Sequence, residues 1–182
     1  KVNPSGKLNV SFPRSTGNTP CFYNHFVTDR EESFDQPGTP EEPKGHYIFD
    51  KPEPLWNFGH GKSYTTFDYV ACALSDTLLV ASDTLKVSVT IKNTGRRDGK
   101  EVVQLYVRDK VSTVATPIQQ LKAFQKVLIK PGESQCVELS LPIAELALYN
   151  AKMEEVVEPG DFEIQIGAAS DDIRFKKTIT IN

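Results

Sequence analysis

The most constraining feature of this chain is the run Leu85-Lys86-Val87-Ser88-Val89-Thr90-Ile91-Lys92. Its odd positions are all aliphatic and its even positions all polar. A period of two puts every second side chain on one face of an extended strand, so this segment has one buried face and one wet face. Such a strand needs neighbours to pair with and a second layer to cover its apolar side. The alternation recurs. Val103, Leu105 and Val107 repeat it, with Tyr106 on the opposite face. Val137, Leu139 and Leu141 alternate with Glu138 and Ser140, and Phe162, Ile164 and Ile166 with Asp161, Glu163 and Gln165. Phe175, Ile179 and Ile181 close the series.

Seven main strands follow, at about 65–74, 84–92, 101–109, 120–130, 134–141, 160–168 and 174–181. Turn residues separate them: Asn93-Thr94-Gly95, Asp98-Gly99, Pro131-Gly132 and Pro159-Gly160. The one helical candidate is a single turn from Pro142 to Ala147. The expected fold class is all-β: an immunoglobulin or fibronectin type III-like β-sandwich of about seven strands over residues 62–182. No Cys…Trp…Cys pattern marks a true immunoglobulin domain, because the single Trp, Trp56, lies before the first strand.

Residues 1–61 read differently. Eight of the twelve prolines fall there, at 4, 13, 20, 37, 40, 43, 52 and 54. Proline removes a ladder donor and keeps the preceding residue out of the helical region, so this density excludes a long helix or a central strand. One short strand is expected at Leu8-Asn9-Val10-Ser11-Phe12, and an extended surface loop from Asp29 to Lys44. With 182 residues the chain has room for one full core, and this irregular segment cannot close one alone. The chain opens Lys1-Val2-Asn3-Pro4, without an initiating Met or a signal peptide, which suggests a piece of a longer protein.

Composition excludes some partners. A net charge of −3 has the wrong sign for a nucleic-acid footprint, and no run approaches the ~20 apolar residues of a membrane-spanning helix. Cys21, Cys72 and Cys136 are far apart and odd in number. They read as free thiols, or as one disulfide with a thiol left over, and not as a zinc site.

Motifs for chemistry are sparse. Gly61-Lys62-Ser63 resembles the end of a phosphate-binding loop, but position 56 is Trp where that motif needs Gly, and a strand follows instead of a helix. His25, His46 and His60 lack metal-site spacing. There is no nucleophile elbow. The acidic pairs Glu31-Glu32, Glu41-Glu42, Glu154-Glu155 and Asp171-Asp172 read as solvated surface. No catalytic, cofactor-binding or metal-binding residue is assigned. Trp56 is the candidate substrate-binding residue, since an exposed Trp there could stack on a sugar ring; alternatively, Trp56 and Phe58 plug the linker onto the sandwich.

Several motifs carry a resemblance. Pro4-Ser5-Gly6-Lys7-Leu8-Asn9-Val10-Ser11-Phe12-Pro13-Arg14-Ser15 is similar to the end of the second, α/β domain of glycoside hydrolase family 3 enzymes. Phe22-Tyr23-Asn24-His25 resembles the segment that follows it, and Pro54 to Phe67 resembles the family's PLYPFGYGLSYTTF. Lys92-Asn93-Thr94-Gly95, Gly99 to Val107, Leu121 to Val127, Lys130-Pro131-Gly132-Glu133 and Val157 to Phe162 resemble its fibronectin type III-like domain. Asn9, Lys62 and Trp56-Asn57 depart from the usual Pro, Leu and Tyr-Pro.

The resemblance implies a retaining β-glucosidase or β-xylosidase of carbohydrate metabolism, periplasmic or extracellular by the family's habit. It implies that residues 1–61 are the tail of the α/β domain plus a wrapping linker, and 62–182 the sandwich. The nucleophile and the acid/base then lie upstream, in a barrel and the α/β domain that would be the partners of this chain. The β-linked sugar would be met through that parent. No cofactor is implied. Two alternatives stand beside this reading: a free-standing sandwich that binds carbohydrate or protein, and a complete small enzyme of another type.

Overall fold

A computed structural model describes residues 2–26, 39–41 and 53–182. Among the described residues there are ten strands: β1 (Phe67–Leu74), β2 (Leu78–Leu79), β3 (Thr84–Asn93), β4 (Gly99–Asp109), β5 (Gln120–Ile129), β6 (Ser134–Pro142), β7 (Leu148–Tyr149), β8 (Glu155–Val156), β9 (Gly160–Ala169) and β10 (Asp172–Ile181). The seven long ones match the expected strands within a few residues. The three two-residue strands have too few residues to show a period, so no alternation announced them.

One sheet runs β1-β3-β6 and the other β2-β10-β9-β4-β5, with β7-β8 as a separate ribbon. Every pairing is antiparallel except β2 with β10. The alternation of β3 explains the layering. Leu85, Val87, Val89 and Ile91 are each 0% exposed. They meet Val103, Leu105, Val107, Ile164 and Ile166 of the facing sheet in one apolar cluster. The expected helical turn is a 3-10 turn, Ile143–Leu146, which drops Ile143 and Leu146 into that cluster.

The segment Leu8–Phe12 is not a strand. Only Phe12 makes a bridge, to Trp56. Leu8 N–H donates to His60 O at 2.9 Å and Gly59 N–H to Leu8 O at 2.8 Å; Phe12 N–H donates to Trp56 O at 2.8 Å and Leu55 N–H to Phe12 O at 2.7 Å. The two stretches thus run alongside each other in register. Pro13 and Pro54 lack donors at one end, and Gly59 turns the chain at the other, so a regular ladder cannot extend. The expected loop Asp29 to Lys44 lies outside the described residues except at 39–41.

Candidate functional site

β4 is where the N-terminal segment and the sandwich join. Its inward positions are 101, 103, 105 and 107, and its outward ones 102, 104 and 106. The outward side of a sandwich strand is ordinarily wet, yet Val102, Gln104 and Tyr106 are all buried. The N-terminal segment covers Gln104 and Tyr106. Phe58 stacks on Tyr23 with ring centroids 4.1 Å apart, and Tyr23 meets Tyr106 edge-on at 5.9 Å. Tyr106 Oη donates to Gln104 Oε1 at 2.5 Å, and Gln104 Nε2 donates to Ala168 O at 2.6 Å and Gly59 O at 3.4 Å. Burial pushes the Tyr106 phenol up, so it stays a neutral donor. Gly59 sits at φ +80°, and a Cβ there would run into the Gln104 side chain. That position therefore requires glycine twice over, for its dihedral and for its space.

Glu101 faces inward at the open end of the sandwich. It is 7% exposed, and its Oε1 lies 3.1 Å from Lys7 Nζ. Lys7 Nζ also donates to Ala168 O at 3.0 Å. Tyr69, from β1, reaches across to donate to Gly167 O at 3.3 Å. Its phenol is pushed up, first by burial and then by the charges of Glu101 and Asp172. Beside it Arg174 forks onto Asp172, Nε to Oδ1 at 2.5 Å and Nη2 to Oδ2 at 2.9 Å, and lies 5.8 Å over the Tyr69 ring. These groups border a cleft of about 260 Å3 together with His60 and Asp171.

Chemically, the carboxylates of this cleft are each held by a structural partner. Retaining glycoside hydrolysis needs two carboxyls ~5–5.5 Å apart across the scissile bond, one to attack and one to shuttle a proton. Here Glu101 is bound by Lys7, Asp172 by Arg174, and Asp171 accepts from Asn57 Nδ2 at 2.7 Å. Among the described residues no group of three or more His, Cys, Asp or Glu could hold a metal.

The residues singled out from the sequence are scattered. Trp56 is 44% exposed and meets Phe12 edge-on at 5.9 Å; Phe58, not Trp56, plugs onto the sandwich. Positions 56 and 58 share parity and would face the same way in an extended strand, but the chain turns at Phe58–Gly59, where His60 N–H donates to Asn57 O at 3.1 Å. Asp172 is half-buried and ion-paired instead of solvated. Ser63 Oγ of the phosphate-loop lookalike donates to Asn3 Oδ1. His25 Nδ1 lies 3.0 Å from Phe26 O, while His46 is outside the described residues. Cys21, Cys72 and Cys136 are free thiols. Sequence reasoning passed over Lys7 and Glu101. The one available signal was Glu101 itself, a charge at an inward-parity position of a strand.

Comparison with known proteins decides the family. Residues 101–170 match the family model described as "Fibronectin type III-like domain". A β-xylosidase of Formosa agariphila is 42% identical over 175 residues, 95% of this chain and 23% of that protein. A periplasmic β-glucosidase of Salmonella typhimurium is 39% identical over 171 residues, 92% of this chain and 22% of that protein. The crystal structure of a β-glucosidase from Listeria innocua, in complex with glucose, superposes with a TM-score of 0.84 at 36% identity over 99% of this chain and 24% of its own. The chain belongs to glycoside hydrolase family 3, as its C-terminal, fibronectin type III-like part. It spans about a quarter of the length of these family 3 relatives. The match reaches the irregular N-terminal segment as well as the sandwich, so the family 3 likeness includes the Lys7 and Phe58 contacts' own stretch of chain.

Proposed function

We propose that this chain is the non-catalytic, stabilising C-terminal module of a retaining β-glycoside hydrolase, a β-glucosidase or β-xylosidase. One observation carries the reading: relatives with those names align over nearly all of this chain and only about a quarter of themselves. The engaged state of Glu101, Asp171 and Asp172 supports it, since each carboxylate has a structural partner. In this reading the nucleophile and acid/base lie in upstream barrel and α/β domains, and residues 1–61 are the tail of the latter plus its linker. The substrate is a β-linked glucoside, xyloside or short oligosaccharide met through the parent. Trp56, half exposed at the junction, is the residue proposed to reach a sugar. The printed name of the Salmonella relative supports a periplasmic or extracellular setting. No helix among the described residues is long and apolar enough to cross a membrane.

The test compares two preparations on aryl β-glucoside and aryl β-xyloside. This chain alone is expected to give no turnover, and the parent protein to hydrolyse at least one of the two. Turnover by the chain alone that disappears in Asp171→Asn or Asp172→Asn would overturn the proposal and point to a small enzyme.

A further inference from the structure

We infer that an open cleft beside Val2 is the surface on which the polypeptide preceding this region docks in the parent protein; this rests on the reading above that such a parent exists. The cleft is about 840 Å3, walled by Val2, Asn3, Tyr64, Arg97, Lys100 and Leu128. Three of these are apolar or aromatic and largely uncovered: Val2 at 92%, Tyr64 at 70% and Leu128 at 52%. Single exposed apolar residues are ordinary on a surface, whereas several converging on one cleft mark a contact. Leu128 lies opposite Lys100 in the β4–β5 ladder, so an aliphatic floor carries a basic rim of Lys100 and Arg97. Among the described residues Asp98 is the only carboxylate in the lining.

The run of the backbone selects the occupant. Val2 and Asn3 form part of the wall, so any polypeptide that precedes them leaves from the cleft itself. Its starting point is tied to the sandwich side of the cleft by three hydrogen bonds of Asn3. Asn3 Nδ2 donates to Asp98 O at 3.0 Å, and Asn3 Oδ1 accepts from Tyr64 N–H at 2.8 Å and Ser63 Oγ at 3.1 Å. Relatives carry some three quarters of their length outside the matched region, so the upstream part is the nearest large body to cover the cleft. The complementary surface is apolar against Tyr64 and Leu128, with carboxylates facing Arg97 and Lys100.

Hydroxyl-radical footprinting of the parent protein and of this chain alone tests it, with rates taken relative to Tyr149 on the β7–β8 ribbon. Tyr64 and Leu128 are expected to oxidise at least about fivefold more slowly in the parent, as residues under a desolvated contact do. In the parent, Arg97→Glu with Lys100→Glu is expected to return Tyr64 toward its rate in the chain alone. Equal Tyr64 rates in the two proteins, or protection indifferent to the charge reversals, would overturn the inference. Protection in the chain alone that grows with its concentration would assign the cleft to a second copy. Protection by added cello- or xylo-oligosaccharide would assign it to sugar, and either result overturns it. A parent that hydrolyses aryl glycosides while Tyr64 stays reactive sinks this inference only. A parent that protects Tyr64 without hydrolysing sinks the proposed function only.

Discussion

Lys7 and Glu101 form a nearly buried ion pair, with side chains 17% and 9% exposed, between the N-terminal segment and the sandwich. Losing one partner of such a pair strands the other charge away from water, which costs about 3–5 kcal/mol, whereas replacing both by apolar groups is close to neutral. Lys7→Met is therefore expected to lower stability to urea by about that amount. Lys7→Met with Glu101→Met should regain most of it. A single variant within ~0.5 kcal/mol of the unmodified chain would show that the pair is effectively solvated. Glu158 gives a pH-dependent case. It accepts from Thr113 Oγ1, from Thr113 N–H at 2.9 Å and from Ser112 Oγ at 3.3 Å, and these bonds hold its carboxyl below the usual range. A depressed folded pKa means that the stabilisation is present above the ordinary Glu value of ~4.3 and is lost as pH falls through the folded value. The Thr113 amide proton shift is expected to titrate with a midpoint below ~4.3 and to lose that step in Glu158→Gln. A midpoint at or above the ordinary value would contradict the contact.

At the level of elements, β3 and β4 respond differently to the same chemistry. β3 is central in its sheet, with Val89 paired to Cys72 of β1 on one side and Val137 of β6 on the other. Its alternation told truly which face is inside. Val89→Asp would bury an unpaired carboxylate in the core and should cost on the order of 3–5 kcal/mol, read by thermal or urea unfolding. A variant as stable as the parent chain would mean that the inward face is misassigned. β4 shows the limit of the same pattern. Val103, Leu105 and Val107 were legible as core, but the burial of Gln104 and Tyr106 was not, because their cover comes from Tyr23 and Phe58, far away in sequence. The strand expected at Leu8 to Phe12 failed for a related reason. Its alternation is real, but a strand needs a partner able to continue a ladder, and the partner stretch is broken by Pro54 and Gly59.

For the whole molecule, the buried apolar core among the described residues runs from Leu79 to Ile181. The described part of the N-terminal segment adds an outer cover and one charge, and no member of that core. Residues 62–182 produced alone are accordingly expected to fold, with a lower melting temperature than the full chain. They would expose Tyr106 and leave Glu101 without Lys7. Circular dichroism and Tyr106 oxidation rates check this. An unfolded 62–182 piece would show that the N-terminal segment belongs to the core, and a Tyr106 as protected as in the full chain would show that something else covers it.

The order of strands, their inward faces and the family were set by the sequence alone, because a period of two is written residue by residue and the family motifs are local strings. Tertiary structure alone decided the sheet order β2-β10-β9-β4-β5, the two-sided burial of β4, and the choice of Phe58 over Trp56 as the plug. It also brought Lys7 to Ala168, 161 residues away. Periodicity reports which side of a strand a residue occupies and says nothing of what is laid against that side. A contact between distant segments depends on how the chain returns, and neither partner's neighbours in sequence record it.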